Sequence, residues 1–207
     1  RWKANNTEDR LVIFTESIKT LEFLEQQLRS DLKLKDDQIA TLRGDQGDTV
    51  LMETVEAFGK TQSPLRLLIC SDVASEGINL HHLSHKMIHF DIPWSLMVFQ
   101  QRNGRIDRYG QKYQPQIRYL LTEASEPQIN GDMRVLEVLI NKDEQAQKNI
   151  GDSSEFTGKF TQEEEEEQVA EFMMQDDGAS LFDDLLNSNV TENSEHDLFG
   201  EIYSAVS

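Results

Sequence analysis

Arg102, Arg105 and Arg108 recur at every third position of a chain that otherwise carries a formal net charge of −18. On a helix this spacing places side chains near one face, and planar guanidinium groups match phosphate oxygens with two parallel hydrogen bonds. Gly104 costs a helix about 1 kcal/mol relative to alanine, which indicates that a backbone or a ligand approaches closely. A solvated basic face paired with Asp107 has the same spacing, so the arginines alone leave both interpretations open.

The polar segment 71–79 favours the phosphate interpretation. It follows an apolar run that reads as a buried strand. Short hydroxyl side chains and backbone N–H groups at such a turn can bind phosphates without reading bases. The segment is therefore suited to binding phosphate groups. Its small polar residues are Ser71, Ser75, Gly77 and Asn79.

Apolar runs alternate with helical patterns along the first three quarters of the chain. Strands are predicted at 10–15, 38–44, 66–71, 86–92 and 116–123, and helices after Ser17 and at 48–58, 95–107 and 131–151. This alternation predicts an α/β fold in which helices cover both faces of a parallel sheet. Ligands bind at the carboxyl ends of such strands. We therefore expect the site in the loops 15–17, 43–47, 71–79 and 92–95.

The charge is distributed unevenly along the chain. Residues 151–207 hold 16 Asp and Glu against one Lys, whereas residues 1–150 hold 22 against 19 Lys and Arg. The first part can therefore present basic surface although the whole chain is acidic. We predict a folded lobe at 1–151, followed by an acidic extension at 152–207 that is partly helical or disordered. Its small apolar cluster could recruit a protein partner: Leu181, Phe182, Leu185 and Leu186.

Several classes of protein are disfavoured by composition. The single cysteine, Cys70, cannot form an internal disulfide and lies in an apolar run, as expected in a reducing compartment. No apolar stretch is long enough to span a bilayer, so we expect no membrane partner and a cytoplasmic location. The histidines between 81 and 89 lack further Cys or His ligands to complete a closed site, so no metal site is predicted. The chain begins with Arg1, and we expect it to be part of a longer polypeptide.

Three segments resemble motifs V, Va and VI of superfamily-two helicases in order and spacing: "SDVASEGINL", "HFDIPWS" and "QQRNGRIDRYGQ". "RLVIFTES" resembles motif IV and "LRGD" resembles motif IVa, so that the resemblance covers about residues 8–150. It is strongest to the SWI/SNF-type helicase-like ATPases, particularly the bacterial RapA-type branch. Asp107, and Ser95 with Leu96, depart from many eukaryotic relatives and favour a bacterial translocase.

The resemblance implies a three-layer RecA-like fold, the second of two motor lobes. ATP and Mg²⁺ would be held mainly by the preceding N-terminal lobe of the same polypeptide, which supplies the phosphate loop and the metal-binding acid, and this fragment alone would bind neither. By position, Arg105 and Arg108 correspond to catalytic arginine fingers. The other nucleotide-binding positions implied are Gln101, Arg102, Gly77 and Asn79. The nucleic-acid-binding positions implied are Ser71, Ser75, Thr15, Ser17 and Arg43.

These implications predict the second motor lobe of an ATP-hydrolysing translocase on double-stranded DNA, inactive as an isolated fragment and associated with the nucleoid. Two alternatives stay open. An RNA-directed helicase lobe is compatible, because contacts to the backbone carry little information about the nucleic acid. A non-catalytic protein-binding module on the same fold is the second alternative, and its partner would bind the acidic extension.

Overall fold

The computed structural model describes residues 9–75, 78–82, 84–122 and 131–148, with backbone alone at 74–75 and 145–148. Five strands are formed: β1 Leu11–Phe14, β2 Ile39–Leu42, β3 Leu67–Cys70, β4 Lys86–His89 and β5 Gln116–Tyr119. Five helices alternate with them: α1 Ile18–Asp31, α2 Asp48–Gly59, α3 Asp72–Ser75, α4 Leu96–Asn103 and α5 Asp132–Lys148. The predicted extension at 152–207 lies outside the described residues.

The strands form one parallel sheet in the order β2-β3-β1-β4-β5. The chain moves outward from β1 to β2 and then returns across the sheet, so right-handed crossovers put α1 and α2 on opposite faces. Ile13 accordingly packs in a cluster with Leu21 of α1. Phe14, the next residue, packs on the other face with Phe58 of α2 and with Ile106. The predicted three-layer α/β fold is confirmed.

Each strand is shorter than predicted, and at the carboxyl ends of the first three strands the polar residues belong to the loops. Thr15, Arg43 and Ser71 directly follow β1, β2 and β3. The backbone N–H of Thr15 still donates to the carbonyl of Cys70 at 3.1 Å, and that of Ser71 donates to Leu42 at 2.9 Å. The three loops therefore leave the sheet side by side, at the edge where the site was expected.

The helix α1 begins as predicted. Ser17 occupies its N-cap position in an extended conformation, and its hydroxyl accepts a hydrogen bond from the backbone N–H of Thr20 at 3.3 Å. This bond satisfies one of the backbone donors that a helix leaves unpaired at its start. The exposed start of α1 consequently lies next to the carboxyl end of β1.

The buried side chain of Arg10 joins the end of α2 to the sheet by hydrogen bonds. Its side chain is fully buried and donates to the carbonyls of Phe58 at 2.6 Å and Leu65 at 2.8 Å, and also to that of Lys60. The bonds to Phe58 and Lys60 satisfy carbonyls that a helix leaves unpaired at its C-terminus, and Leu65 lies just before β3. Burial, with the nearby charge of Arg66, lowers the pKa of Arg10 to about 10, so its guanidinium stays charged at neutral pH.

Candidate functional site

Helix α4 ends earlier than the sequence predicted. It runs from its N-cap Ser95 to Asn103, and Gly104 is its C-cap at φ −63° and ψ −6°. The prediction of a helix through residue 107 is therefore wrong in its last turn, and Arg105 and Arg108 lie in the turns that follow. A Cβ atom at Gly104 would come within 3.2 Å of the Gln100 carbonyl oxygen. The close approach predicted for this glycine is thus to the backbone of its own helix.

Arg102 lies inside the protein, with its side chain 1% exposed. Its Nε and Nη2 donate to the two carboxylate oxygens of Asp72 at 2.6 and 2.7 Å. Its Nη2 also donates to the carboxylate of Asp91 at 3.1 Å, and its Nη1 to the Asp91 carbonyl at 2.9 Å. The prediction that Arg102 contacts nucleotide does not fit this geometry, because two aspartates already enclose the guanidinium.

Asp91 extends the same network to β1. Its carboxylate accepts a hydrogen bond from the Thr15 hydroxyl at 2.5 Å and from the backbone N–H of Glu16 at 2.9 Å. Thr15 is fully buried, and Ser71 is 3% exposed. Neither of these two hydroxyl groups reaches the surface in this structure, although both were predicted to contact nucleic acid. They belong to the interior that supports the strand-end loops.

The other residues predicted to contact nucleic acid have different surroundings. Ser17 is exposed at the start of α1. Arg43 forms ion pairs with Glu22 at 2.9 Å and Asp45 at 3.3 Å, and its side chain is 30% exposed. Two carboxylates thus already neutralise its charge. Gly77 and the side chain of Ser75 lie outside the described residues.

Arg105 and Arg108, which we call the arginine pair, lie together against the segment 78–80. Arg105 is half-buried, and its Nη1 donates to the carbonyl of Ile78 at 3.2 Å, while its own carbonyl accepts from Leu80 at 3.2 Å. Arg108 is exposed, and its Nη1 donates to the side-chain oxygen of Asn79. The structure therefore brings three of the predicted nucleotide-binding residues into one cluster.

Gln101 is also exposed and lies in the last turn of α4, one position before the buried Arg102. Its neighbour Gln100 faces α5 and donates to the Asp143 carboxylate at 2.8 Å. Gln101 is four residues before Arg105 in the chain.

His89 anchors α4 to β4. It is fully buried, and its Nε2 lies 2.9 Å from the Asn103 side-chain oxygen. Its Nδ1 faces the Nη1 of Arg102 at 3.5 Å, so Nδ1 accepts and Nε2 carries the proton. The ring also packs on Tyr119 at 4.8 Å between centroids. Burial first, and then the charge of Arg102, lower the pKa of His89 to about 3, so the imidazole is neutral at physiological pH.

Sequence reasoning missed Asp72 and Asp91 as residues of the site. Both are the second residue after a buried strand, Asp72 after β3 and Asp91 after β4. Because carboxyl ends of parallel strands meet at one edge of the sheet, this shared position was the available signal.

The described residues contain no group of three or more His, Cys, Asp or Glu side chains placed to hold a metal ion. The tilted rings of His81 and His82 pack against each other, with centroids 4.1 Å apart. His85 packs on Tyr113, with ring centroids 5.1 Å apart. Within the same part of the chain, no helix has the length and apolar character needed to cross a membrane.

Comparison with known proteins places the sequence motifs in context. The family described as "Helicase conserved C-terminal domain" matches residues 3–110. The RNA polymerase-associated protein RapA of Pectobacterium carotovorum subsp. carotovorum (strain PC1) is 34% identical over 116 residues, which is 55% of this chain and 11% of RapA. The chain thus spans about a tenth of the length of this relative. These matches confirm the resemblance to superfamily-two helicases of the RapA-type branch.

A solved structure supports the fold independently. The crystal structure of the C-terminal part of the Fun30 ATPase domain superposes with a TM-score of 0.52 and 22% sequence identity. The superposition covers 64% of this chain and 40% of that one. At this identity the likeness concerns the arrangement of strands and helices alone.

Proposed function

Because the chain belongs to the helicase conserved C-terminal domain family, we propose that it is the second motor lobe of an ATP-driven translocase on double-stranded DNA. The observation that supports this most is the arginine pair. Arg105 and Arg108 both lie against the segment 78–80, which follows β3 and α3 in the chain. Two cations held by a backbone carbonyl and a neutral amide can exchange these partners for a polyphosphate.

The proposed chemistry of the arginine pair is electrostatic. Guanidinium groups keep their charge at every physiological pH. Placed on the γ-phosphoryl group of ATP, they stabilise the negative charge that develops during its transfer to water. Gln101 would contact the same nucleotide from the end of α4, and Asn79 would release Arg108 toward it. This chain contributes positioned cations, and the transfer itself needs little covalent chemistry from the protein.

The preceding lobe of the same polypeptide is the proposed holder of ATP and Mg²⁺. The arginine pair supplies charge but no phosphate loop, and Asp72 and Asp91 are already bonded to Arg102. The isolated chain should therefore hydrolyse no ATP. Approach of the two lobes would complete the site, and their separation after hydrolysis would shift the grip on the nucleic acid.

The proposed nucleic-acid contacts lie at the exposed parts of the strand-end loops. Ser17 is exposed at the start of α1, and a helix N-terminus favours phosphate. Arg43 would join them by exchanging Glu22 and Asp45 for a phosphate. Such contacts bind backbone and not bases. With DNA as its substrate, we propose that the protein is located in the cytoplasm together with the nucleoid.

The proposed function is tested by measuring ATP hydrolysis by the full-length polypeptide, and by this chain alone, with no nucleic acid, duplex DNA or duplex RNA. We expect duplex DNA to raise kcat of the full-length protein most, and the chain alone to be inactive. Stronger stimulation by RNA would favour the RNA-directed alternative. Absence of ATP hydrolysis by the full-length protein under every condition would favour the non-catalytic binding module.

A further inference from the structure

Arg102 connects α4 to the carboxyl ends of three adjacent strands. We propose that it is a positioning residue that couples the arginine pair to the loops which grip nucleic acid. The inference rests on the proposed function, because it assigns to one buried side chain the communication between the two ligands of that motor.

One side of the network leads to the nucleotide. Arg102 is three residues before Arg105, whose backbone N–H donates to the carbonyl of Arg102 at 3.1 Å. The same guanidinium holds both carboxylate oxygens of Asp72, the first residue of α3. The chain continues from α3 toward the segment 78–80 that the arginine pair contacts. If Arg105 and Arg108 move, the backbone at Arg102 therefore moves with them.

The other side of the network leads to the strand-end loops. Arg102 holds the carboxylate and the carbonyl of Asp91, and the Asp91 carboxylate in turn holds the Thr15 hydroxyl and the backbone N–H of Glu16. Glu16 immediately precedes Ser17, the N-cap of α1. The start of α1 is thus separated from the buried guanidinium by a single carboxylate.

The energetics make these parts move together. Arg102 is almost fully enclosed, and a buried charge is costly unless its partners stay in place. If α4 moved together with Arg102 while Asp72 or Asp91 stayed in place, the interior would contain an unpaired charge. Bidentate hydrogen bonds from a guanidinium group also fix the orientation of the carboxylate as well as its distance. The network therefore favours a concerted displacement of α4, the β3 and β4 loops and the β1 loop over separate ones.

The test uses linkage in the full-length polypeptide. The affinity for duplex DNA is measured with and without a non-hydrolysable ATP analogue, and the ratio of the two dissociation constants is the coupling factor. Allosteric couplings are commonly about 5- to 150-fold, and we expect the unaltered protein to fall in this range. Thr15→Val removes the hydroxyl that Asp91 holds but keeps the branched shape. In the Thr15→Val protein the coupling factor should lie within about twofold of one, which is well below the typical range.

Two further variants sharpen the test. Arg102→Lys keeps the charge but cannot hold Asp72 and Asp91 together, and it should also bring the factor close to one. Thr54→Val makes the same chemical change as Thr15→Val, but on the exposed face of α2, where the hydroxyl donates to the carbonyl of Val50. It should leave the factor unchanged. Thr15→Val carries the test if Arg102→Lys does not fold.

The outcomes separate the inference from the proposed function. A factor of one in the unaltered protein would overturn the proposed function together with the inference. A factor above five in the unaltered protein that persists in Thr15→Val and in folded Arg102→Lys would overturn the inference alone. A merely structural role would lower the melting temperature without changing the factor. A direct contact of Thr15 with DNA would weaken binding equally with and without nucleotide, and would likewise contradict coupling.

Discussion

Replacing Arg105 and Arg108 together by alanine in the full-length polypeptide should lower kcat for ATP hydrolysis by about 10³-fold or more, the range measured for arginine fingers in nucleotide hydrolases. The reason is electrostatic. Arg105 donates to the Ile78 carbonyl and Arg108 to the Asn79 side chain, so both guanidinium groups lie against the segment 78–80. Their charge is needed most when negative charge develops on the transferred group. ATP binding, assigned mainly to the preceding lobe, should weaken much less than kcat.

The measurement is the saturating rate of hydrolysis with duplex DNA, together with the dissociation constant for ATP. Arg118→Ala is the matched control, because Arg118 is an exposed arginine on β5 outside the cluster. It should leave both quantities near those of the unaltered protein. A double variant whose kcat stays within tenfold of the control would contradict the assignment of the arginine pair to the nucleotide.

Replacing His89 by glutamine should remove about 2 kcal/mol of the pH dependence of stability between pH 7 and pH 5. An unfolded histidine has a pKa near 6.5, whereas burial and the charge of Arg102 lower the pKa of His89 to about 3 in the folded chain. Between these values the unfolded chain binds one proton more than the folded chain. The contribution of His89 is therefore fully present above pH 6.5 and is lost as the pH falls, by about 1.4 kcal/mol per pH unit.

The free energy of unfolding of the chain in urea, measured at pH 7 and pH 5 for each protein, tests this prediction. The quantity compared is the difference between the two pH values, because His89→Gln also removes packing against Tyr119 at every pH. His82→Gln alters an exposed histidine and serves as the control. If His89→Gln and His82→Gln kept the same pH dependence as the unaltered chain, His89 would not be the buried neutral group described.

The sheet and its helices could be predicted because their signal is local. Short apolar runs separated by amphipathic segments specify buried parallel strands and covering helices. Ser17 at the start of α1 could be predicted for the same reason, since an N-cap bond joins residues only three apart. The end of α4 is local too, yet the regular arginine spacing favoured continuing the helix through Gly104. The glycine ends it instead.

The partners of the polar groups could not be predicted, because they are distant in sequence. Arg102 and Asp72 are 30 residues apart, and Thr15 and Asp91 are 76 apart. A sequence identifies side chains that are able to bind phosphate, but not those already held by carboxylates of the same protein. Arg102, Thr15 and Arg43 are all held in this way. Arg105 donates to the Ile78 carbonyl and Arg108 to the Asn79 side chain, and these partners too are distant in sequence.

The most direct measurement of the central claim is a structure of the full-length polypeptide with duplex DNA, ADP and aluminium fluoride, which stands for the γ-phosphoryl group during transfer. We expect the guanidinium groups of Arg105 and Arg108 to leave Ile78 and Asn79 and to lie within about 3 Å of the fluoride, as charge-assisted hydrogen bonds require. A complex in which both arginines keep their present partners while other residues contact the fluoride would contradict it.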